Sequence, residues 1–103
     1  MDWVLIYNYR FYKEAGHDLA KLDNSIKKLF AKKLSQIIKN PQMGYELGHI
    51  NNLDLTGFRK AYFDNKRYRI VYQVCDDEII IHIIAIGKRD NMEVYKKASQ
   101  RIK

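Results

Sequence analysis

Three arginines and one tyrosine, Arg59, Arg69, Arg89 and Tyr95, are the side chains whose types and spacing point to chemistry in this sequence. A guanidinium does not lose its charge and donates two parallel hydrogen bonds to a phosphate or carboxylate. A phenol titrates at about pH 10 unaided and reaches lower pH only where neighbouring cations favour its anion. Brought to one face, the four would bind an anion and hold a proton-transfer group beside it. Lys60, Lys66, Arg67 and Lys88 flank these positions and would add binding charge. The formal net charge of +7 over 103 residues favours a polyanionic partner, nucleic acid first and an acidic protein second.

The elements that must position these side chains follow from the pattern. The run from Ile79 to Ile86 is almost wholly β-branched and reads as a buried strand that delivers Lys88 and Arg89 to the mouth of the core. Before it, Phe58 to Phe63 and Arg67 to Cys75 read as strands joined by short turns at Asp64-Asn65-Lys66 and Asp76-Asp77. A regular hairpin through the first turn places Arg59 and Arg69 on one side of the sheet, with Lys60 on the other. Asp90 and Glu93 resemble a capping box that starts a last helix, running from about Asn91 to Arg101 and carrying Tyr95. Its apolar face, Val94, Ala98 and Ile102, is thin enough for the helix to dock or detach at modest cost.

Upstream, Trp3 to Tyr7 reads as a first strand. A helix bearing Tyr12, Ala15, Leu19 and Leu22 follows, then a second whose apolar face is Ile26, Leu29, Phe30, Leu34, Ile37 and Ile38. Asp23, Asn24 and Ser25 cap the second helix, and Asn40-Pro41 stops it. Gln42 to Gly57 reads as a long connection. The expected fold is α+β, in the order β-α-α-β-β-β-α. A small antiparallel four-stranded sheet carries an N-terminal two-helix hairpin on one face and a short C-terminal helix, as one domain over residues 1–103.

Composition narrows the chemistry further. The single cysteine, Cys75, excludes an internal disulfide and a cysteine-based zinc site. His17, His49 and His82 have no metal-ligand spacing, so neither a metal nor a cofactor is expected. The longest apolar run is too short to cross a bilayer, and the N-terminus lacks a basic leader, so a cytoplasmic location without membrane attachment is expected.

Tyr68-Arg69-Ile70-Val71-Tyr72, the isoleucine-rich strand, Gly87-Lys88-Arg89 and Glu93-Val94-Tyr95, in this order and separation, resemble the RelE family of the RelE/ParE toxin superfamily of type II toxin–antitoxin systems. The resemblance implies a ribosome-dependent mRNA endonuclease that cuts in the A site. The 2′-hydroxyl of the RNA attacks the adjacent phosphate without a metal, leaving a 2′,3′-cyclic phosphate. It assigns Arg69 to the scissile phosphate, Arg89 to transition-state charge, Arg59 to a basic strand position and Tyr95 to a base or stacking role. Family members often carry a lysine or arginine two residues beyond the position matching Arg59; here Ala61 stands there, which leaves the general acid open. The partners implied are the ribosome, the message and a RelB-like antitoxin, acidic or helical, in a hetero-oligomer. ParE-like relatives, which share the fold and bind DNA gyrase without cutting RNA, are the competing class; a degenerate homologue that only binds its antitoxin is a third.

Overall fold

The computed structural model describes residues 6–89 and 92–102. Five strands form one sheet in the order β1-β5-β4-β3-β2: β1 (Asn8–Phe11), β2 (Tyr45–Ile50), β3 (Leu53–Phe63), β4 (Tyr68–Cys75) and β5 (Ile80–Lys88). Helices α1 (Lys13–Ala20) and α2 (Asn24–Lys39) cover one face, and α3 (Glu93–Arg101) packs on the other. The α+β class and the helix placement match expectation. The strand count does not, and the sheet is mixed, because β1 runs parallel to β5.

The extra strand comes from the supposed loop. Tyr45–Ile50 pairs antiparallel with β3, and Asn51-Asn52 closes the hairpin with both φ angles positive, 45° and 66°. As an edge strand β2 buries only Leu47, so it carries no apolar alternation to betray it. The first strand lies later than expected, at Asn8–Phe11, and residues 3–5 of the expected strand fall outside the described residues.

On the helical face, Phe30, Leu34 and Ile37 of α2 and Ala15 of α1 pack on Ala61, Phe63, Ile70, Tyr72, Ile81, Ile83 and Ile86. Leu29, expected on that face, is 39% exposed instead. Against the other face, Val94, Tyr95 and Ala98 of α3 meet Leu55, Phe58, Val71, Ile84 and Ala85. A bulge in β5 makes both cores possible. Val71 pairs with Ala85 but Tyr72 with Ile83, so the extra residue switches which isoleucines face which layer.

β1 ends at Phe11, which leaves the second half of β5 as an open edge. Asp18, buried on α1, accepts a hydrogen bond from the Ile86 N–H at 3.1 Å, and Arg101 of α3 donates to the Ile84 carbonyl at 2.9 Å. These two side chains pair with each other at 2.7 and 3.1 Å, closing that edge with one ion pair. The last helix is therefore fixed at both ends, more firmly than a three-residue apolar face implies. The Asp90 half of the expected capping box lies outside the described residues.

Candidate active site

The geometry of the site is decided by the β3–β4 turn. Phe63 pairs with Tyr68, so four residues, Asp64 to Arg67, make the connection, and Asp64, Asn65 and Lys66 all adopt positive φ. The turn expected from sequence was one residue shorter. A one-residue change in register reverses which side chains share a face. Arg59 pairs with Tyr72 and Tyr62 with Arg69. Lys60 and Tyr62 therefore stand with Arg69 on the α3 side, while Arg59 faces the helix-hairpin side.

Arg59 consequently does not join the other three, and the expected convergence of Arg59 with Arg69 is overturned. Its Nη1 donates to the Gly44 carbonyl at 2.8 Å and its Nη2 meets the Glu46 carboxylate at 3.2 Å, tying down the start of β2. Gly44 is confined to that approach, since a Cβ there would lie 2.3 Å from the Tyr72 hydroxyl. Lys60 takes the place sequence had given Arg59, and the position two residues on becomes Tyr62 rather than Ala61.

The remaining side chains meet beneath α3. Arg69 Nη1 donates to the Tyr95 hydroxyl at 2.6 Å, with its guanidinium carbon 5.0 Å from the Tyr95 ring centroid and 5.3 Å from that of Tyr62. The Lys60 ammonium lies 5.2 Å from the Tyr62 centroid and 5.9 Å from that of Tyr95. Two cations and two phenols thus alternate, each cation within cation–π range of both rings. Tyr95 is 2% exposed, so the packing of α3 fixes its position. Arg69 Nε is buried with no hydrogen-bond partner among the described residues. An unpaired buried donor costs about 1–3 kcal/mol, and folds tolerate such costs chiefly at functional sites.

The titration behaviour follows from this arrangement. Burial alone would lower the pKa of Lys60, but hydrogen bonding and charge from Tyr62 and Tyr95 outweigh it and raise the ammonium above its ordinary value. Lys60 keeps its proton. Tyr62 moves the opposite way, lowered first by the Lys60 hydrogen bond and then, against desolvation, by the charges of Lys60, Arg69 and Arg89.

Arg89 is exposed at the rim, where its backbone N–H donates to the Arg67 carbonyl at 2.8 Å. With Lys66, Arg67, Lys88, Asn65 and Asp23 it lines a groove of about 650 Å³ beside the turn. The structure therefore assembles Arg69, Tyr95 and Lys60, adds Tyr62, and brings the Lys66 ammonium within 5.8 Å of the Tyr62 ring and the charge of Arg89 within its reach, whereas Arg67 and Lys88 line the groove beside the turn with Asp23 and Ile26 of the helix-hairpin side. Sequence reasoning missed Tyr62 because the parity assumed for β3 turned it toward the core.

The sequence profile described as ParE toxin of type II toxin-antitoxin system, parDE, matches residues 9–92. Two curated relatives come from Escherichia coli. A RelE-like toxin protein is 37% identical over 94% of this chain and 98% of its own length, and the mRNA interferase toxin RelE is 31% identical over 95% and 99%. Among solved structures, free E. coli RelE bearing two arginine-to-alanine substitutions aligns with a TM-score of 0.77 at 27% identity, covering 95% of this chain and 99% of that one. The intact E. coli RelBE toxin–antitoxin complex aligns at 0.66 and 25% identity, over 82% and 99%. The architecture is that of a RelE-type toxin domain. The chain belongs to the RelE/ParE family of type II toxin–antitoxin systems.

Proposed function

We propose that this chain is a ribosome-dependent mRNA endonuclease that cuts the message in the A site, using the RNA's own 2′-hydroxyl as nucleophile. The observation that carries this reading is the 2.6 Å contact between Arg69 and Tyr95 with the Lys60 ammonium beside both rings. The 2′-oxygen attacks phosphorus, the bond to the 5′-oxygen breaks, and the products are a 2′,3′-cyclic phosphate and a 5′-hydroxyl. Charge growing on the phosphate oxygens needs fixed cations, which Arg69 supplies from the sheet and Arg89 from the rim. Lys60, which holds its proton, donates to the departing 5′-oxygen. Tyr62 is the readiest acceptor for the 2′-proton because the surrounding cations favour its anion. Tyr95, buried on the underside of α3, accepts from Arg69 Nη1 and so holds the guanidinium toward the phosphate.

The E. coli relative named an mRNA interferase supports this chemistry, and the RelBE complex supports neutralisation by an antitoxin, in a hetero-oligomer. The basic surface suits a helical or acidic antitoxin segment. A cytoplasmic site of action follows from a ribosomal target; no helix among the described residues is long and apolar enough to cross a membrane. The match to the ParE profile favours a second reading, a gyrase-binding toxin without nuclease activity. Primer extension on messages from a translating bacterial extract separates the two. Translation-dependent cuts are expected with the wild type, reduced by at least about 100-fold in Arg69→Ala and Tyr95→Phe. Blocked gyrase supercoiling without any cuts would establish the second reading instead.

A further inference from the structure

The line of rings and cations continues past Lys60 onto the next strand. Tyr45 is the direct cross-strand partner of Lys60, so its ring stands on the same face as Lys60 and Tyr62. The Tyr45 and Tyr62 centroids are 6.2 Å apart with the rings inclined at 60°, so they meet edge-on and are not stacked face to face. The Lys60 ammonium lies 6.0 Å from the Tyr45 centroid. Tyr45 is 62% exposed, the most exposed large hydrophobic side chain among the described residues, and belongs to neither core. Core packing does not account for it.

Aromatic rings interleaved with cations on an open sheet face hold single-stranded RNA, with bases stacking on the rings and phosphates pairing with the cations. We infer that Tyr45, with Tyr62, forms a stacking subsite for an unpaired nucleobase of the message, next to the phosphate held at Lys60 and Arg69. The inference rests on the endonuclease reading and names the part of the substrate that reading leaves unplaced. Charge selects the occupant. Lys60, Lys66 and Arg69 all lie within 6 Å of the Tyr62 ring, so a strand that brings a flat base also brings the anions these cations require. Every base offers a π-face, so the subsite tolerates sequence and contributes affinity and register rather than a strict codon choice.

The test is single-turnover cleavage on ribosomes programmed with messages in which one ribonucleotide at a time, across and beside the A-site codon, lacks its base. At one position, loss of the base is expected to weaken wild-type cleavage efficiency by about 5- to 150-fold, the range for one base–aromatic stack. Tyr45→Ala is expected to lose a similar factor on the intact message, chiefly as a higher half-saturating toxin concentration, and to lose little more when that base is missing. Tyr45→Phe is expected to cut as wild type does. If Tyr45→Ala cuts normally, or if its loss multiplies fully with base removal at every position, the subsite is refuted. The second result would mean that Tyr45 acts only by caging Lys60. Wild type and Arg69→Ala, run in parallel, separate the two levels of argument: absence of translation-dependent cutting by the wild type overturns the endonuclease reading itself, and normal cutting by Arg69→Ala overturns the phosphate site beside which the subsite is placed.

Discussion

Replacing Asp18 with alanine tests the account of how α3 is held. The carboxylate and the Arg101 guanidinium are 6% and 12% exposed, and together they make the two hydrogen bonds of the pair plus those to the Ile86 N–H and the Ile84 carbonyl. Asp18→Ala leaves the Ile86 donor unpaired and Arg101 buried against one carbonyl. Breaking a buried pair from one side costs about 3–5 kcal/mol. Against a total stability of roughly 5–15 kcal/mol that is a large share, and for a domain of this size it lowers the melting temperature by about 20 °C. Urea unfolding of the wild type, Asp18→Ala, Arg101→Leu and the double variant measures it. The double variant is expected to recover at least about 1 kcal/mol relative to the sum of the singles, because neither charge is then stranded. A single-variant loss below about 1 kcal/mol, or strict additivity, would refute the reasoning.

The same pair sets the acid limb of stability. Burial pushes the Asp18 carboxyl up, but hydrogen bonds from Arg101 and the Ile86 N–H, with the charges of Arg101 and Lys97, outweigh it and hold the group below its ordinary 3.8. A carboxylate lowered by folding stabilises the folded state fully above its unfolded pKa. That stabilisation fades as pH falls through the folded value. Wild-type stability should therefore decline below about pH 4, and Asp18→Ala should lack that part of the decline. Parallel acid limbs in the two proteins would contradict the assignment.

Two further substitutions probe the turns. Arg59→Ala should cost about 1–2 kcal/mol in urea unfolding, through loss of the Gly44 carbonyl contact, while primer extension finds cleavage within a few-fold of wild type. Abolished cleavage with unchanged stability would return Arg59 to the site. Ile79 holds φ at 55°, a left-handed conformation in which a β-branched residue is strained, so Ile79→Gly should raise stability by about 1 kcal/mol. A loss of stability by calorimetry would show that the Ile79 side chain contributes more than its backbone costs.

Where hydrophobic period is strong, the sequence was a sufficient guide. Phe30, Leu34 and Ile37 recur at helical spacing and are buried, and the isoleucines of β5 form a buried interior strand between β1 and β4. Period is silent where a residue's partners are polar. Asp18 lies on the buried side of α1, yet its burial depends on Arg101, 83 residues away, and nothing local announces it. Tyr45–Ile50 buries only Leu47, so its strand character rests on backbone pairing that leaves no mark on side-chain type.

The misplacement of Arg59 has a different origin, and it shows why the site was the least legible part. Arg69, Arg89 and Tyr95 could be found by residue type, because their positions follow from their own elements. Which residue of β3 joins them depends instead on one turn. Three consecutive residues at φ of 53° to 67° lengthen that turn by one residue, and side-chain alternation carries the change along the whole strand. The exchange of Arg59 for Lys60 and the appearance of Tyr62 where Ala61 was expected are a single consequence of Asp64-Asn65-Lys66. Ala61 had suggested a missing proton donor. In the correct register it belongs to the helical-side core, 4% exposed, and the site face carries an ammonium that keeps its proton beside a phenol disposed to lose one.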